Sequence, residues 1–330
     1  MKRLSNGFGI EIVTPCDPVW DKENGNYRMK DVLEFASKAE KLGLDHLWHA
    51  DMVLPHYDSY NTAWYDPLIV LTAASTVTTK VKLCQSIVVP HLRNLITFAK
   101  QAASIDNLTN GRFMLGAGAG HYAPEFEACG VDFSKRTKVF HEFIKATKML
   151  WSEEKVTFDG KYYKLKEVSL WPRPVQKPHP PVILAGGGHK TVWGNDEMLQ
   201  KIITRIVNTA EGWVGASRIP NDAIVKVGQV IESRMKEKGR NKDDFMMFGH
   251  RFIHIVKDES RARKLVHDIV GGKLEDLMGE HLVGTKDDIK ANMKKMIEKT
   301  GINGFFAKPF GIDHEALEFF ANEIVPDYVK

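Results

Sequence analysis

In this 330-residue chain, the residue types able to do chemistry gather where short apolar runs stop. Residues 47–52 read Leu-Trp-His-Ala-Asp-Met, so His49 and Asp51 lie on one side of an extended segment. A histidine and a carboxylate at that spacing can orient a hydroxyl or hold a ring nitrogen, or serve as a hydrogen-bonded core histidine and a loop cap. Glu11 shares a face with Gly9 and Val13, where a carboxylate is either a proton acceptor or the partner of a buried lysine or arginine.

The run 83–90 is apolar except at Gln85 and Ser86, the place for a bulge. Gly116-Ala117-Gly118-Ala119-Gly120-His121 is no dinucleotide fingerprint, because His121 stands where the last glycine should be. Its small residues, Gly118 among them, still let a flat ligand lie against the backbone, with His121 at the loop entrance. Ala185-Gly186-Gly187-Gly188-His189 follows an apolar run and precedes a helical one. Backbone N–H groups of such a turn suit a phosphate or a ring edge, although three glycines also make a tight turn. Gly249-His250-Arg251 either lines a rim that attracts an anion or faces a helix outside. The histidines show no HExxH and the cysteines no CxxC, so no metal centre is expected.

These residues need a scaffold that brings strand ends together. Short β-branched or aromatic runs at 8–14, 46–50, 81–89, 113–117, 181–185, 212–215, 246–255 and 304–307 alternate with amphipathic helical segments. The helices read at 29–42, 66–76, 95–108, 135–150, 192–208, 223–238, 261–277 with 286–300, and 316–324. Eight βα units predict a (β/α)8 barrel, an α/β fold whose functional groups sit at the C-terminal ends of the strands. Two excursions interrupt the rhythm: a hairpin at 153–170, where residues alternate around Asp159-Gly160, and a lid or extra helix at 258–285. With no linker, repeat or low-complexity segment, residues 1–330 read as one domain.

Composition limits the function classes. The 43% hydrophobic content supplies an ordinary core, and 46 basic residues against 42 acidic ones give a net charge of +4 without a basic block. Nucleic acid is therefore not an expected partner. Cys16, Cys84 and Cys129 are odd in number and far apart, which fits a reducing cytoplasm, and no run is long enough to span a membrane.

In the order of its motifs the chain resembles the bacterial-luciferase-like superfamily, and in particular its coenzyme F420-dependent oxidoreductase branch. The likeness rests on Gly43 to Trp48 running through Asp51 to Pro55, on 83–90, and on Gln101 to Arg112 leading into 115–118. It continues through Phe158 to Tyr163, Pro172 to Gln176, Pro181 to Gly188, and Leu282-Val283-Gly284-Thr285. The resemblance implies a tricyclic ring across the barrel mouth, with a non-proline cis peptide at Ser86–Ile87 against it. Asp51 would contact the pyrimidine end, and Ala185, Gly186, Gly187 and Gly188 would pass near the ring and its tail.

It also implies hydride transfer with a small organic substrate, His49, His121 or Glu11 handling a proton. The alternatives are a reduced-FMN-dependent monooxygenase and a ring-binding protein without turnover. Two departures bear on this: Met52 and His121 stand where relatives carry a histidine and a glutamate. Substrate contacts would come from loops near Trp20 and 57–64 and from the late insertion. A homodimer would pack through early helices, for which the apolar residues 68–74 are suited, although the same residues could cover the sheet.

Overall fold

Eight apolar runs each find a parallel neighbour on both sides, so the sheet closes on itself. The computed structural model describes residues 4–14, 28–55, 63–188, 190–270 and 272–329; Cys16, Trp20, 57–62 and His189 lie outside them. The strands are β1 (Phe8–Glu11), β2 (His46–His49), β3 (Lys82–Gln85), β4 (Phe113–Ala117), β5 (Val156–Asp159), β6 (Lys164–Val168), β7 (Val182–Ala185), β8 (Gly212–Val214), β9 (Met246–Ile255), β10 (Leu282–Gly284) and β11 (Gly304–Pro309). The helices are α1 (Met29–Lys41), α2 (Pro67–Ser75), α3 (Leu95–Leu108), α4 (Ala123–Ala128), α5 (Arg136–Ser152), α6 (Lys190–Trp193), α7 (Asp196–Thr209), α8 (Asn221–Glu237), α9 (Glu259–Val270), α10 (Lys286–Thr300), α11 (His314–Phe319) and α12 (Pro326–Val329). Strands β1, β2, β3, β4, β7, β8, β9 and β11 form the closed parallel barrel, a TIM barrel, with β8–β9 and β11–β1 completing the circle.

The inward side chains form an apolar plug of Trp48, Cys84, Met114, Ile183, Phe248 and Phe306. Burial of large side chains of this kind contributes about 1.5–3 kcal/mol each. Outside the strands, a larger core joins the sheet to the helices. Local chemistry sets several boundaries. Asn110 and Gly111 both adopt positive φ (52° and 82°) where α3 turns into β4. Thr285 caps α10 through a reciprocal pair of bonds with Asp288.

The structure corrects the sequence reading in five places. The strand count misses β10, which pairs with the upper end of β9 above β8. The eighth barrel strand runs to Pro309 rather than stopping at Ala307, so Lys308 lies inside the sheet. The helix expected at 192–208 is two pieces, α6 and α7, because Asn195 caps a fresh start by accepting from the Met198 N–H at 2.9 Å. Helix α4 is an addition that the Gly-rich approach concealed. The helix read through residue 324 has its last turn, Phe320–Ile324, wound as a π-helix.

Both excursions are present. The β5–β6 hairpin pairs Asp159 with Lys164, leaving a four-residue loop around Gly160 rather than a two-residue turn. Glu142 of α5 fastens that loop by accepting backbone N–H groups of Lys161 and Tyr162. The late insertion contributes α9, a short turn at Leu274–Asp276 and β10, packed on a small core of its own with Phe252 and Phe310. Residues 68–74 are largely spent on the sheet: Leu68, Val70, Leu71 and Ala74 are buried, and Ile69 faces solvent. No helix among the described residues is long and apolar enough to cross a membrane.

Candidate active site

Above the apolar plug, the C-terminal ends of β1, β9 and β11 carry a layer of buried polar groups. The alternation that turns Gly9 and Glu11 of β1 inward does the same for His250 of β9 and Lys308 of β11. Glu11 is 1% exposed and Lys308 2%. The Glu11 Oε1 lies 2.8 Å from the Lys308 Nζ. Its Oε2 accepts from the Ser86 hydroxyl at 2.9 Å and lies 3.1 Å from the His250 Nε2. Burial alone would raise the Glu11 carboxyl, but Lys308 and His250 outweigh it and hold the group near a pKa of about 2. Glu11 is thus a carboxylate paired with a lysine, the second of the two roles its position allows.

The Lys308 ammonium also lies 4.2 Å from the centre of the Trp64 ring. The His250 ring stacks on Phe306 at 4.2 Å, and burial pushes its pKa below the ordinary value although Glu11 pulls it up.

The opposite side of the mouth is flat and uncharged. Strand β3 stops at Gln85, the Ser86–Ile87 peptide is cis, and the chain rejoins β4 through a bridge between Val88 and Ala117. The expected break in the third strand is therefore present, with its expected cis bond. A methyl group at Gly118 would stand 2.6 Å from the Ile87 Cδ1 and 3.6 Å from the Ala185 Cβ, so Ile87, Gly118 and Ala185 form one surface. Gly116 is required one layer deeper, where a Cβ would meet the Gln85 carbonyl oxygen at 1.8 Å.

Asp51 is buried just beyond β2, where it braces that break. Its Oδ2 accepts the Val89 N–H at 3.0 Å, and its two oxygens take both Nη atoms of Arg93 at 2.7 and 2.9 Å. Burial works against the Arg93 charge, yet Asp51 and Asp66 more than restore it. His49 has its Nδ1 against the Ile12 carbonyl and its Nε2 3.0 Å from the Tyr65 carbonyl. Burial lowers its pKa although both carbonyls pull it up, and His49 sits in the core between β1 and the segment before α2, a neutral ring donating to only one of the two carbonyls. Met52 is buried with Val13, Ala50 and Trp64 in an apolar cluster. His121 is exposed on the loop after β4.

The glycine turn packs rather than opens. At Gly186 a methyl would come within 2.8 Å of Ile202 of α7, and Gly187 has φ +79°. The Gly186 carbonyl accepts from the Trp213 indole at 2.8 Å, and Gly188 sits 3.0 Å from the Ala216 Cβ when a Cβ is added. The helix that follows directly is the four-residue α6, so the long helix expected behind the turn begins later, at Asp196.

Arg251 is wholly buried and gives its donors to the carbonyls of Glu280, Ser217 and Ile219 and to Asn221 Oδ1. Burial lowers it to about 10, and it anchors the late insertion rather than lining the rim. Sequence reasoning placed Trp64 at the end of the loop 57–64 and missed Lys308 and Glu125. The last is a buried carboxylate of α4 that accepts the Val53 N–H at 2.7 Å and the Leu54 N–H at 3.1 Å. A charged residue inside an apolar run, Lys308 within Phe-Phe-Ala-Lys-Pro-Phe, was the available signal.

Comparison with known proteins follows the same lines. A family described as luciferase-like monooxygenase matches residues 12–315. An uncharacterized protein of Mycobacterium tuberculosis is 30% identical over 220 residues, 66% of this chain and 73% of that protein. The F420-dependent glucose-6-phosphate dehydrogenase of Kineococcus radiotolerans is 37% identical over 160 residues, 47% of this chain and 46% of its own length. The monooxygenase RslO1 of Streptomyces bottropensis superposes with a TM-score of 0.82 at 22% identity, over 99% of this chain and all of that one, a likeness of fold.

Proposed function

The chain belongs to the luciferase-like monooxygenase family, and from that premise we propose an oxidoreductase that moves a hydride between coenzyme F420 and a small organic substrate. The observation carrying this reading is the floor of Ile87, Gly118 and Ala185, flat and uncharged, beside a buried polar layer of Glu11, Lys308 and His250. A planar ring fits such a floor, because small side chains leave no obstruction and apolar surface is matched by apolar surface. The ring supplies the redox chemistry, while the protein supplies position and electrostatics.

Ser86, Ile87 and Gly118 would underlie it, Ala185 and Gly186 to Gly188 would border its edge and tail, and Asp51 would act through the break that it and Arg93 brace. His121, exposed at the entrance, would meet substrate. Similarity to the F420-dependent glucose-6-phosphate dehydrogenase of Kineococcus radiotolerans supports the deazaflavin.

The second reading, a reduced-FMN-dependent monooxygenase, is favoured by the family description and by the fold shared with RslO1. Incubating the purified chain with F420 and with FMN separately, and measuring the affinity and reduction of each, divides the two. Micromolar FMN affinity without F420 binding would replace the first reading by the second. Turnover of any substrate dismisses a binding protein without catalysis. An Asp51→Ala change that leaves ring affinity untouched would remove the placement at Ser86–Ile87.

A further inference from the structure

We propose that His250, rather than His49 or Glu11, exchanges the substrate's proton, and that the substrate is an uncharged alcohol–carbonyl pair; this rests on the hydride-transfer reading above. The His250 Nε2 faces the Glu11 carboxylate at 3.1 Å, a close approach without the alignment of a full hydrogen bond. Its Nδ1 carries no hydrogen bond among the described residues and is not sealed from solvent. An imidazole with one nitrogen against a buried carboxylate and the other without a protein partner has the arrangement of a carboxylate-oriented acid–base group. His49 lacks that freedom, since both of its nitrogens face backbone carbonyls. Glu11 lacks it because Lys308, Ser86 and His250 surround its two oxygens, which makes it a positioning residue.

The same layer selects against charge. Lys308 is matched by Glu11, and Arg251 is taken up by carbonyls and Asn221, so neither is left for a phosphate or a carboxylate. Trp64 and Phe252, both close to Lys308, offer apolar wall instead. In oxidation, the alcohol O–H breaks and its proton moves to the His250 Nδ1, while Nε2–H stays against Glu11. The neighbouring C–H breaks, its electron pair leaving as hydride to the oxidised deazaflavin, and the C=O bond forms. Reduction runs backward, the imidazolium returning the proton.

The first test needs no cofactor: ¹⁵N-histidine NMR of the full chain, with His250→Gln identifying the signal. The expected neutral tautomer has its proton on Nε2. Glu11→Gln should lower the titration midpoint by at least about one pH unit, the midpoint being set by Glu11, Lys308, Arg251 and His281, which act on His250. A proton on Nδ1, or an unmoved midpoint, overturns the assignment. With F420 bound, His250→Gln should cut kcat with propan-2-ol about 100-fold and leave F420 affinity within threefold. Undiminished alcohol turnover by His250→Gln overturns the assignment while the hydride reading stands, whereas a chain that never binds F420 fails that reading first. Preference for glucose 6-phosphate over propan-2-ol overturns the uncharged substrate class.

Discussion

Two halves of one barrel mouth solve opposite problems. Strands β3, β4 and β7 end in Ile87, Gly118 and Ala185, where the chain has cleared away bulk and charge. Strands β1, β9 and β11 end in Glu11, His250 and Lys308, where it has gathered charge and then neutralised it internally. The first half is defined by what a side chain would collide with, and the second by what each side chain would lack if its partner left. Glu11 couples them, since its Oε2 holds the Ser86 hydroxyl at the start of the cis peptide. The charged half therefore also steadies the flat one.

The contrast is broken most severely by Lys308→Met. It leaves the Glu11 carboxylate buried without its cation, and chemical denaturation should show a loss of about 3–5 kcal/mol. The double change Glu11→Gln with Lys308→Met should recover most of that, since well-packed neutral replacements of a buried pair are often tolerated. A double variant no more stable than Lys308→Met would mean that the pair is not the source of the loss.

Next in size is Ala185→Leu, which should fill the flat half. Affinity for the bound ring is expected to fall about 100-fold, near 2.7 kcal/mol, with the melting temperature little changed because the side chain enters the mouth rather than the plug. Equal losses of affinity and stability would erase the distinction between the halves.

Acid should act chiefly through the charged half and the histidines beneath it. His46, held at about 3 by burial and Lys82, and His49 and His250, also lowered by burial, take up protons less readily in the fold than in the unfolded chain. The unfolded chain takes up their protons first, from its ordinary 6.5 downward, so stability is full above that pH and drains as the pH falls. Glu11, lowered to about 2 from 4.5, adds a further loss across that lower window, in the same direction. Equilibrium denaturation between pH 8 and 4 checks this; a stability that rises on acidification would contradict the neutral histidines. The smallest effect belongs to His121→Ala, which should leave stability within about 0.5 kcal/mol because the residue is exposed, as chemical denaturation would show.

Much of this was legible residue by residue. The polar interruption at Gln85 and Ser86 marked the broken strand, and Thr285 ahead of Asp288 marked a helix start, because local chemistry acts over a few positions. Lys308 left only one mark, a charge inside an apolar run, while its role was not legible: a lysine followed by proline also reads as a solvated turn, and only a carboxylate near the other end of the chain makes it interior. The glycine turn also has a packing reason that was not legible, since Gly186 answers to Ile202 and Ile206 of α7 and Gly187 to Leu199 and Ile203, contacts that no local pattern encodes.

What the amino-acid order determined by itself was the alternation of strand and helix, and with it which residues reach the wide end of the barrel, because periodicity is a local property of the chain. What the tertiary structure alone decided was the partner of each of them: His49 with backbone carbonyls, Asp51 with Arg93, and Glu11 with Lys308 and His250. Pairing fixes which group keeps a free nitrogen or oxygen for chemistry, and it depends on distances across the closed sheet that separation along the chain does not contain.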